Sequence, residues 1–484
     1  MKILLIEPPF YRLYHEDFSL DKFPLSLGYI SSYLLQRSSH EILIYNADFH
    51  PHSKPMLNEY LAGEGFDNYV NNIQREGYTV WQEIKKIIKD FEPELVGITA
   101  KSQNYKSAIK VAEMAKTINR KTIVVLGGPH PSLVKSASLE NSSVDIAVIG
   151  EGEVTFYELV KAINLGASLK GISGLVIRNG DEIVENSERP YIPDLIELPN
   201  PYLNVRKILK DFNFYPINAF RSVFATRGCP FNCTFCGSHA IWSRKVRFRP
   251  IDHVINEILF LRDLGSKYIN FDDDTFGVTK SYLLELCKAI ETKCKGLFWS
   301  CEIHVKLLDD EVLLAMKKAG CDLIKIGIES GNNKILKEIN KHITIEEAIN
   351  TAHRIYKAGI HVMTFFMVGF PQETEDSLKD TLWAIKKIKG YATYSIFTPY
   401  IGTVAFEECK AIGMIPMDFD VSLYNHQSPN NSFSQNISHE KFRLLASEIE
   451  KEVDEKNQKY ERWMRLRRYA PLNVIKKILS RVKN

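Results

Sequence analysis

Three cysteines lie close together in the middle of the chain. Cys229, Cys233 and Cys236 stand in the run Gly-Cys-Pro-Phe-Asn-Cys-Thr-Phe-Cys. Three thiolates at this spacing can hold three irons of a cubane cluster, which leaves the fourth iron without a protein ligand and open to chemistry. The nearest further cysteine is Cys287, too far along the chain to be a local fourth ligand. The spacing therefore predicts a [4Fe-4S] cluster with one open iron.

A zinc site or chance clustering would also account for these three cysteines. A structural zinc site usually has four ligands, so His239 would have to complete it. The cysteines could also lie together by chance. The cluster is favoured because motifs further along the chain independently indicate a cofactor site.

An acidic run follows a predicted strand after the cysteines. Asp272, Asp273 and Asp274 are consecutive, and adjacent carboxylates repel one another unless water or a cation is close. Ligands usually bind at the carboxyl ends of parallel strands, so an acid here could receive the amino group of a ligand. The alternative is a solvated turn.

Two later strand ends have the same character. Glu329, in Gly-Ile-Glu-Ser-Gly, could hydrogen-bond a ribose, as acidic residues do for dinucleotides; alternatively, Ser330 caps a helix. Gly369, in Val-Gly-Phe-Pro, would permit the close approach of an adenine ring.

The first third of the chain has its own glycine-rich turns. Gly127-Gly128-Pro129-His130-Pro131 and Gly150-Glu151-Gly152-Glu153 each follow a predicted strand. No G-x-G-x-x-G follows the first strand, where Pro8-Pro9 stands instead, so a plain dinucleotide-binding motif is excluded. His130 could ligate a metal, although a loop histidine bonded to backbone is the more common case.

Short apolar strands alternate with helices around these turns, which predicts an α/β protein with parallel sheets. The predicted strands before residue 165 are Lys2–Glu7, Glu41–Asn46, Leu95–Thr99, Thr122–Leu126 and Asp145–Ile149. An Asn-Gly hairpin over 175–185 and a proline-rich linker follow. The later predicted strands are Ser222–Thr226, Tyr268–Asp272, Phe298–Ile303, Leu323–Ile328, His361–Val368 and Tyr394–Thr398. Six such units with helices between them suggest a partial barrel.

Composition limits the class of protein. The net charge of +3 over 484 residues gives no reason to expect nucleic acid. Eight cysteines at these spacings do not predict a disulfide framework, and no signal peptide or membrane-spanning run is predicted. Arg462–Asn484 holds eight Lys or Arg and no acid. A packed surface helix or a helix at a membrane surface would both explain that tail.

Together these motifs resemble the cobalamin-binding radical S-adenosylmethionine (SAM) family over roughly residues 1–410. The resemblance implies a Rossmann-like doubly wound sheet over 1–165, a hairpin and linker over 166–215, a partial (β/α)6 barrel over 216–420 and a helical region over 421–484. It also implies three cofactors: a [4Fe-4S] cluster on the three cysteines, SAM and cobalamin. The residues implied for SAM are Phe235, Asp272, Asp273, Glu329, Ser330 and Gly369. The residues implied for cobalamin are Pro8, Leu27, Gly28, Thr99, Gly127, Gly128, Pro129, His130, Gly150, Glu151, Gly152 and Glu153.

Two departures from relatives matter. Methionine-synthase-like domains carry Asp-x-His-x-x-Gly after the first strand, whereas Pro8-Pro9-Phe10-Tyr11-Arg12 stands here. The resemblance therefore implies cobalamin without a histidine ligand to cobalt. The sixth barrel strand often ends in Pro-Gly-Thr, and here Ile401-Gly402-Thr403 replaces it.

The resemblance implies an enzyme that methylates an unactivated carbon through a 5′-deoxyadenosyl radical and methylcobalamin. Its catalytic side chains are not implied. A cyclase, oxidase or rearrangement enzyme with the same cofactors is the alternative, and an iron–sulfur or cobalamin-dependent sensor is a non-enzymatic one. The expected partners are a small-molecule or lipid substrate and an external electron donor such as flavodoxin or ferredoxin, without nucleic acid. The expected location is the cytoplasm, where the basic tail would allow peripheral membrane contact.

Overall fold

The structure is a computed structural model that describes residues 1–53, 61, 63–426 and 428–469. For residues 463–469 it describes the backbone alone. The chain forms two compact units. The first unit comprises residues 1–274 and 398–431, and the second comprises residues 275–397 and the chain from 432 onward.

A seven-stranded sheet organises the first unit, in the order β2-β1-β3-β4-β5-β6-β7. Its strands are β1 (Lys2–Glu7), β2 (Glu41–Asn46), β3 (Leu95–Thr99), β4 (Ile123–Gly127), β5 (Ile146–Val148), β6 (Leu175–Asn179) and β7 (Glu182–Glu185). The first five are parallel. The predicted hairpin, β6 and β7, forms and extends the sheet antiparallel to β5.

Helices follow the parallel strands of this sheet. They are α1 (Tyr11–Tyr14), α2 (Leu25–Leu35), α3 (Glu64–Gln74), α4 (Thr79–Phe91), α5 (Tyr105–Ile118), α6 (Pro129–Val134) and α7 (Gly152–Asn164). The buried face of α4 carries Val80, Trp81, Ile84 and Ile88, at the spacing that turns one helical face to a core. Because β1, β3, β4 and β5 are parallel, the turns that follow them open at one edge of the sheet.

The remainder of the first unit carries the cysteines. Its elements before residue 275 are α8 (Val205–Ile208), β8 (Ser222–Val223), β9 (Thr226–Arg227), α9 (Ser238–Trp242), β10 (Arg247–Phe248), α10 (Ile251–Asp263) and β11 (Tyr268–Phe271). Strand β8 pairs in parallel with β11, and β9 pairs antiparallel with β10.

The second unit repeats strand and helix. Its strands are β12 (Phe298–Glu302), β13 (Cys321–Glu329), β14 (His361–Val368) and β15 (Tyr391–Ile396), adjacent and parallel in that order. Its helices to this point are α11 (Lys280–Lys293), α12 (Asp310–Lys318), α13 (Asn333–Glu338), α14 (Ile345–Lys357) and α15 (Glu375–Lys387). The register of β13 on β14 shifts between Gly327 and Glu329.

Two helices end the described chain. Helix α16 (Val404–Ala411) belongs to the first unit, and α17 (His439–Tyr469) belongs to the second. The helical carboxyl-terminal region is thus confirmed as far as Tyr469. Residues 470–484 lie outside the described residues, so membrane contact by the basic tail stays a prediction. No described helix is both long and apolar enough to cross a membrane.

Candidate cluster and cofactor site

The three cysteines lie on the loop between β9 and α9, with side chains that are partly exposed and in no disulfide. Phe235 is half-buried on the same loop. Gly228 opens the loop with a φ of +100°, and a Cβ there would lie 2.6 Å from the Lys245 carbonyl oxygen. Burial raises the pKa of the Cys229 thiol to about 11, so coordination to a metal is needed to deprotonate it.

A loop with three cysteines could hold an iron–sulfur cluster or a single metal ion. In the part of the chain that the structure describes, no group of three or more His, Cys, Asp or Glu residues converges enough to hold one metal ion. A zinc site built from the three cysteines and His239 would need that convergence. A cubane takes one thiolate on each of three irons and so keeps its ligands apart. The three thiols on one loop match the donor set that a cubane with one open iron requires.

The acidic run supports the backbone just before the cysteine loop. Asp273 is buried and accepts hydrogen bonds from the Ala225 N–H at 3.2 Å and from the N–H and hydroxyl of Thr226, each at 2.5 Å. Burial raises its pKa to about 7. Asp272 forms an ion pair with Lys22 at 2.7 Å. Asp273 is therefore not part of a solvated turn, and a SAM contact by Asp272 or Asp273 stays a prediction.

Two arginines form ion pairs with the carboxylates of the Gly-Glu-Gly-Glu turn. Arg227 donates to Glu151 Oε1 at 2.8 Å and to Glu153 Oε1 at 2.5 Å. Arg247 donates to both oxygens of Glu151, at 3.0 and 2.8 Å. Burial acts to raise the pKa of Glu151, but the two arginines outweigh it and hold that pKa below its usual value. These carboxylates thus bind protein cations, and their predicted contact with cobalamin stays a prediction.

The other glycine turns leave room beside the backbone. A Cβ on Gly150 would meet nothing within 4 Å, and one on Gly127 would meet only Val148 at 3.9 Å. Gly128 differs, because its φ is +100° and a Cβ would lie 2.9 Å from both the Ala100 carbonyl oxygen and Thr99 Oγ1. Gly127 and Gly150 can therefore admit a ligand against the chain, whereas Gly128 is required by the fold itself.

His130 is buried beside these turns and has polar and aromatic neighbours. Its Nδ1 lies 3.0 Å from Ser102 Oγ, and its ring centroid lies 4.2 Å from that of Tyr105. Burial lowers its pKa to about 4. A neutral imidazole is the form that binds a metal, and a cobalamin contact by His130 stays a prediction.

Four predicted cobalamin residues have packing roles. Leu27 and Gly28 lie inside α2, and a Cβ on Gly28 would lie 2.5 Å from the Phe23 ring. A Cβ on Gly152 would lie 2.8 Å from Ile30 Cδ1, which brings α7 close to α2. Pro129 occupies the first position of α6, where its missing N–H costs nothing. Cofactor contacts by these four residues stay predictions.

Three polar residues at the same sheet edge, Glu7, Asp48 and Lys101, were not predicted as site residues. Pro8 is buried in the first turn, and just before it the Glu7 carboxylate receives Lys101 Nζ at 3.0 Å. Asp48 is buried and accepts from the Phe10 and Arg12 N–H groups at 2.9 and 3.0 Å. Burial raises the Asp48 pKa to about 7. Asp48 thereby fixes the turn that follows β1.

In the second unit, Glu329 ends β13 in a conformation that side chains rarely adopt, with φ at +72°. Its carboxylate meets Lys341 Nζ at 2.7 Å, and each side chain is about one-tenth exposed, 10% and 9% respectively. A Cβ on Gly327 would lie 2.3 Å from Glu329 Oε1. The backbone strain at Glu329 and its ion pair with Lys341 were not apparent from the sequence. A SAM contact by Glu329 stays a prediction.

Ser330 does not cap the following helix. The side chain of Asn332 caps α13 instead, by accepting from the N–H groups of Lys334 and Ile335. The alternative that Ser330 is an N-cap was therefore wrong. Gly369 has a φ of +96°, and a Cβ there would lie 2.9 Å from the Phe442 ring on α17. SAM contacts by Ser330 and Gly369 stay predictions.

Comparison with known proteins accounts for both halves of the chain. The family model of the radical SAM superfamily matches residues 223–383, and that of the B12 binding domain matches residues 43–160. An uncharacterized methyltransferase of Pyrococcus horikoshii is 33% identical over 425 residues, which cover 86% of this chain and 84% of the relative. The chain belongs to the cobalamin-binding radical SAM family.

One further relative and one solved structure are similar to most of the chain. The anaerobic magnesium-protoporphyrin IX monomethyl ester cyclase of Cereibacter sphaeroides is 27% identical over 76% of this chain and 62% of its own length. The radical SAM methyltransferase TsrM of Kitasatospora setae, solved with cobalamin and a [4Fe-4S] cluster, aligns with a TM-score of 0.67 at 17% identity. That alignment covers 86% of this chain and 79% of TsrM. The predicted fold class is confirmed.

The cofactors of this radical SAM protein are a [4Fe-4S] cluster, SAM and cobalamin. The described residues fit the first and the last of them. Cys229, Cys233 and Cys236 offer three thiols on one loop, in no disulfide. Gly127 and Gly150 leave open space at the sheet edge where ligands of such sheets bind.

Proposed function

We propose that this protein is a cobalamin-dependent radical SAM methyltransferase that methylates an unactivated carbon of a small-molecule substrate. One observation carries the proposal. The cysteine loop and the Gly150–Glu153 turn lie in one compact unit, and Arg227 joins them by buried ion pairs. A loop that holds a radical-generating cluster beside a turn that borders cobalamin suits a reaction that uses both.

The residues of the chain have separate tasks in this reaction. When bound, the cluster and SAM supply a radical and cobalamin supplies a methyl group. The three cysteines hold three irons. Asp273 fixes the backbone that leads into their loop. His130 stays neutral because burial lowers its pKa to about 4, so it adds no charge beside the glycine turns.

A cyclase is the second candidate, because a relative with that name shares 27% identity. Methyl transfer is favoured by the relative that is more similar, at 33% identity, and is named a methyltransferase. The chain also spans more of that relative, 84%, than of the cyclase, 62%.

The test supplies SAM with a deuterated methyl group. Anaerobically reconstituted protein is incubated with cobalamin, a reductant, a small-molecule cell extract and either labelled or ordinary SAM. We expect a product whose mass differs between the two incubations by the label, and loss of that product in Cys236→Ala. Cys294→Ala is the matched control, since Cys294 is buried at the end of α11, and it should retain the product.

Other outcomes separate the candidates. A new product without the label, together with SAM cleavage, would establish cyclase or other radical chemistry and contradict methyl transfer. If the protein bound both the cluster and cobalamin but cleaved no SAM in the presence of the extract, the result would favour a sensor.

A further inference from the structure

Arg227 connects the cysteine loop to the cobalamin-binding domain. It stands two residues before Cys229, and its side chain is only 7% exposed. Its guanidinium reaches two carboxylates at once, Glu151 and Glu153. The guanidinium carbon also lies 5.4 Å from the Tyr29 ring centroid and 5.0 Å from that of Trp242. Charge and two aromatic faces thus fix its direction.

Arg247 completes the network from the neighbouring strand. It lies opposite Arg227 in the antiparallel register of β9 and β10. Besides both oxygens of Glu151, it donates to the Ile192 carbonyl at 2.7 Å. Glu151 in turn accepts from the Ile192 N–H at 2.6 Å. The charges of two arginines and two glutamates therefore balance in this buried ion-pair network.

Stability alone is a weak reason for such a network. The desolvation of buried ions offsets most of their attraction, and apolar residues of similar size are often equally stable in their place. Arg227 does, however, fix relative geometry, because its two terminal nitrogens donate to two different carboxylates of the Gly150–Glu153 turn. Arg247 holds Glu151 through Nη1 alone. The network spans the two segments whose separation would matter most to a reaction that uses both cofactors.

We propose that Arg227 and Arg247, through Glu151 and Glu153, are positioning residues that fix the cysteine loop against the Gly150–Glu153 turn and so set the distance from the cluster to cobalamin. This deepens the proposed function and rests on it only in requiring both cofactors to be bound. None of the four side chains needs to touch a reacting atom.

The test measures that distance directly, without substrate. The holoprotein is reduced so that the cluster and cob(II)alamin are both paramagnetic, and pulsed electron paramagnetic resonance gives the distribution of distances between them. We expect a single narrow distribution in wild type. In Arg227→Met and in the charge-balanced pair Arg227→Met with Glu153→Gln, we expect its width to about double. Iron content should be unchanged in both variants, and cobalamin content should be unchanged in Arg227→Met.

Two controls separate positioning from general damage. Glu158 lies on α7, the helix that also carries Glu153. Glu158→Gln breaks the ion pair of Glu158 with Arg189. Glu257→Gln breaks an equally buried pair with Arg249, at 2.7 Å. Both should keep the wild-type distribution, and Glu257→Gln should do so despite a lower unfolding temperature.

Several results would overturn the proposal. A wild-type distribution in the charge-balanced variant is one. Loss of the cluster from that variant at an unchanged unfolding temperature is another, because the network would then hold the cluster itself. Broadening in the control Glu257→Gln equal to that in Arg227→Met would show a general loss of rigidity. Failure of methyl transfer would leave this measurement valid, whereas wild type that binds no cobalamin would refute the proposed function as well.

Discussion

Glu373 is buried in the second unit just after the Gly369 strand end. Its carboxylate accepts a hydrogen bond from the Gly369 N–H and another, at 3.2 Å, from the Phe370 N–H. Burial raises its pKa to about 8, and the two hydrogen bonds only partly oppose this. Near neutral pH the folded protein therefore favours the neutral acid at a position that supports the backbone of Gly369.

This raised pKa predicts a dependence of stability on pH. An acid whose pKa is higher in the folded state contributes most below its unfolded pKa, and that contribution is lost as the pH rises to the folded pKa. For Glu373 the window runs from about pH 4.5 to about pH 8. Each tenfold change in an acid's dissociation constant corresponds to about 1.4 kcal/mol, so the full effect is on the order of 5 kcal/mol.

Glu373→Gln should remove this titration. We expect the unfolding temperature of the variant, relative to wild type, to rise steadily between about pH 5 and pH 8. Anaerobic calorimetry across that range measures it, and Asp376→Asn on exposed α15 is the control. A constant difference between variant and wild type would contradict a raised pKa at Glu373.

At the scale of elements, glycines set how closely α2 packs. Gly28 lies inside α2, and a Cβ there would lie 2.5 Å from the Phe23 ring and 2.9 Å from the Pro201 carbonyl oxygen. The ring can move, but the backbone carbonyl of the linker cannot move easily. Alanine favours a helix over glycine by about 1 kcal/mol, which opposes the clash without removing it.

We expect Gly28→Ala to lower the free energy of unfolding by about 1–3 kcal/mol, as overpacking usually does, and to leave the affinity for cobalamin unchanged. Denaturant unfolding and cobalamin titration measure the two quantities. Gly77→Ala is the matched control, because a Cβ there meets nothing within 4 Å. A normal stability combined with lost cobalamin binding would instead make Gly28 a cofactor contact.

The elements show what the sequence could and could not predict. Strands Lys2–Glu7, Leu95–Thr99 and His361–Val368 were predicted at their observed bounds, because apolar periodicity and flanking turns are local. Helices α3 and α4 were not predicted, although the apolar residues of α4 recur at helical spacing. The sequence also identified the Gly-Glu-Gly-Glu turn, but not that Arg227 and Arg247 bind its carboxylates. Such partners are distant along the chain and depend on the fold.

At the scale of the whole molecule, the net charge is only +3. Basic residues are nevertheless concentrated beside the cysteine loop. The segment after α9 holds four arginines or lysines before residue 250. Arg247 and Arg249 are buried in ion pairs, whereas Arg244 and Lys245 are exposed. The Lys245 carbonyl oxygen also lies close to Gly228, at the start of the loop. An acidic electron donor that approached these two cations would therefore arrive beside the cluster.

We expect the double variant Arg244→Glu with Lys245→Glu to slow reduction of the cluster by reduced flavodoxin about tenfold at low salt, because opposite charges steer such encounters. The difference should vanish as salt screens the charges. Reduction by dithionite should be unaffected. Stopped-flow absorbance of the cluster measures both rates, and Lys267→Glu, exposed before β11, is the control. Equal slowing with dithionite would mean that the double variant damages the loop, and an unchanged flavodoxin rate would place the donor elsewhere.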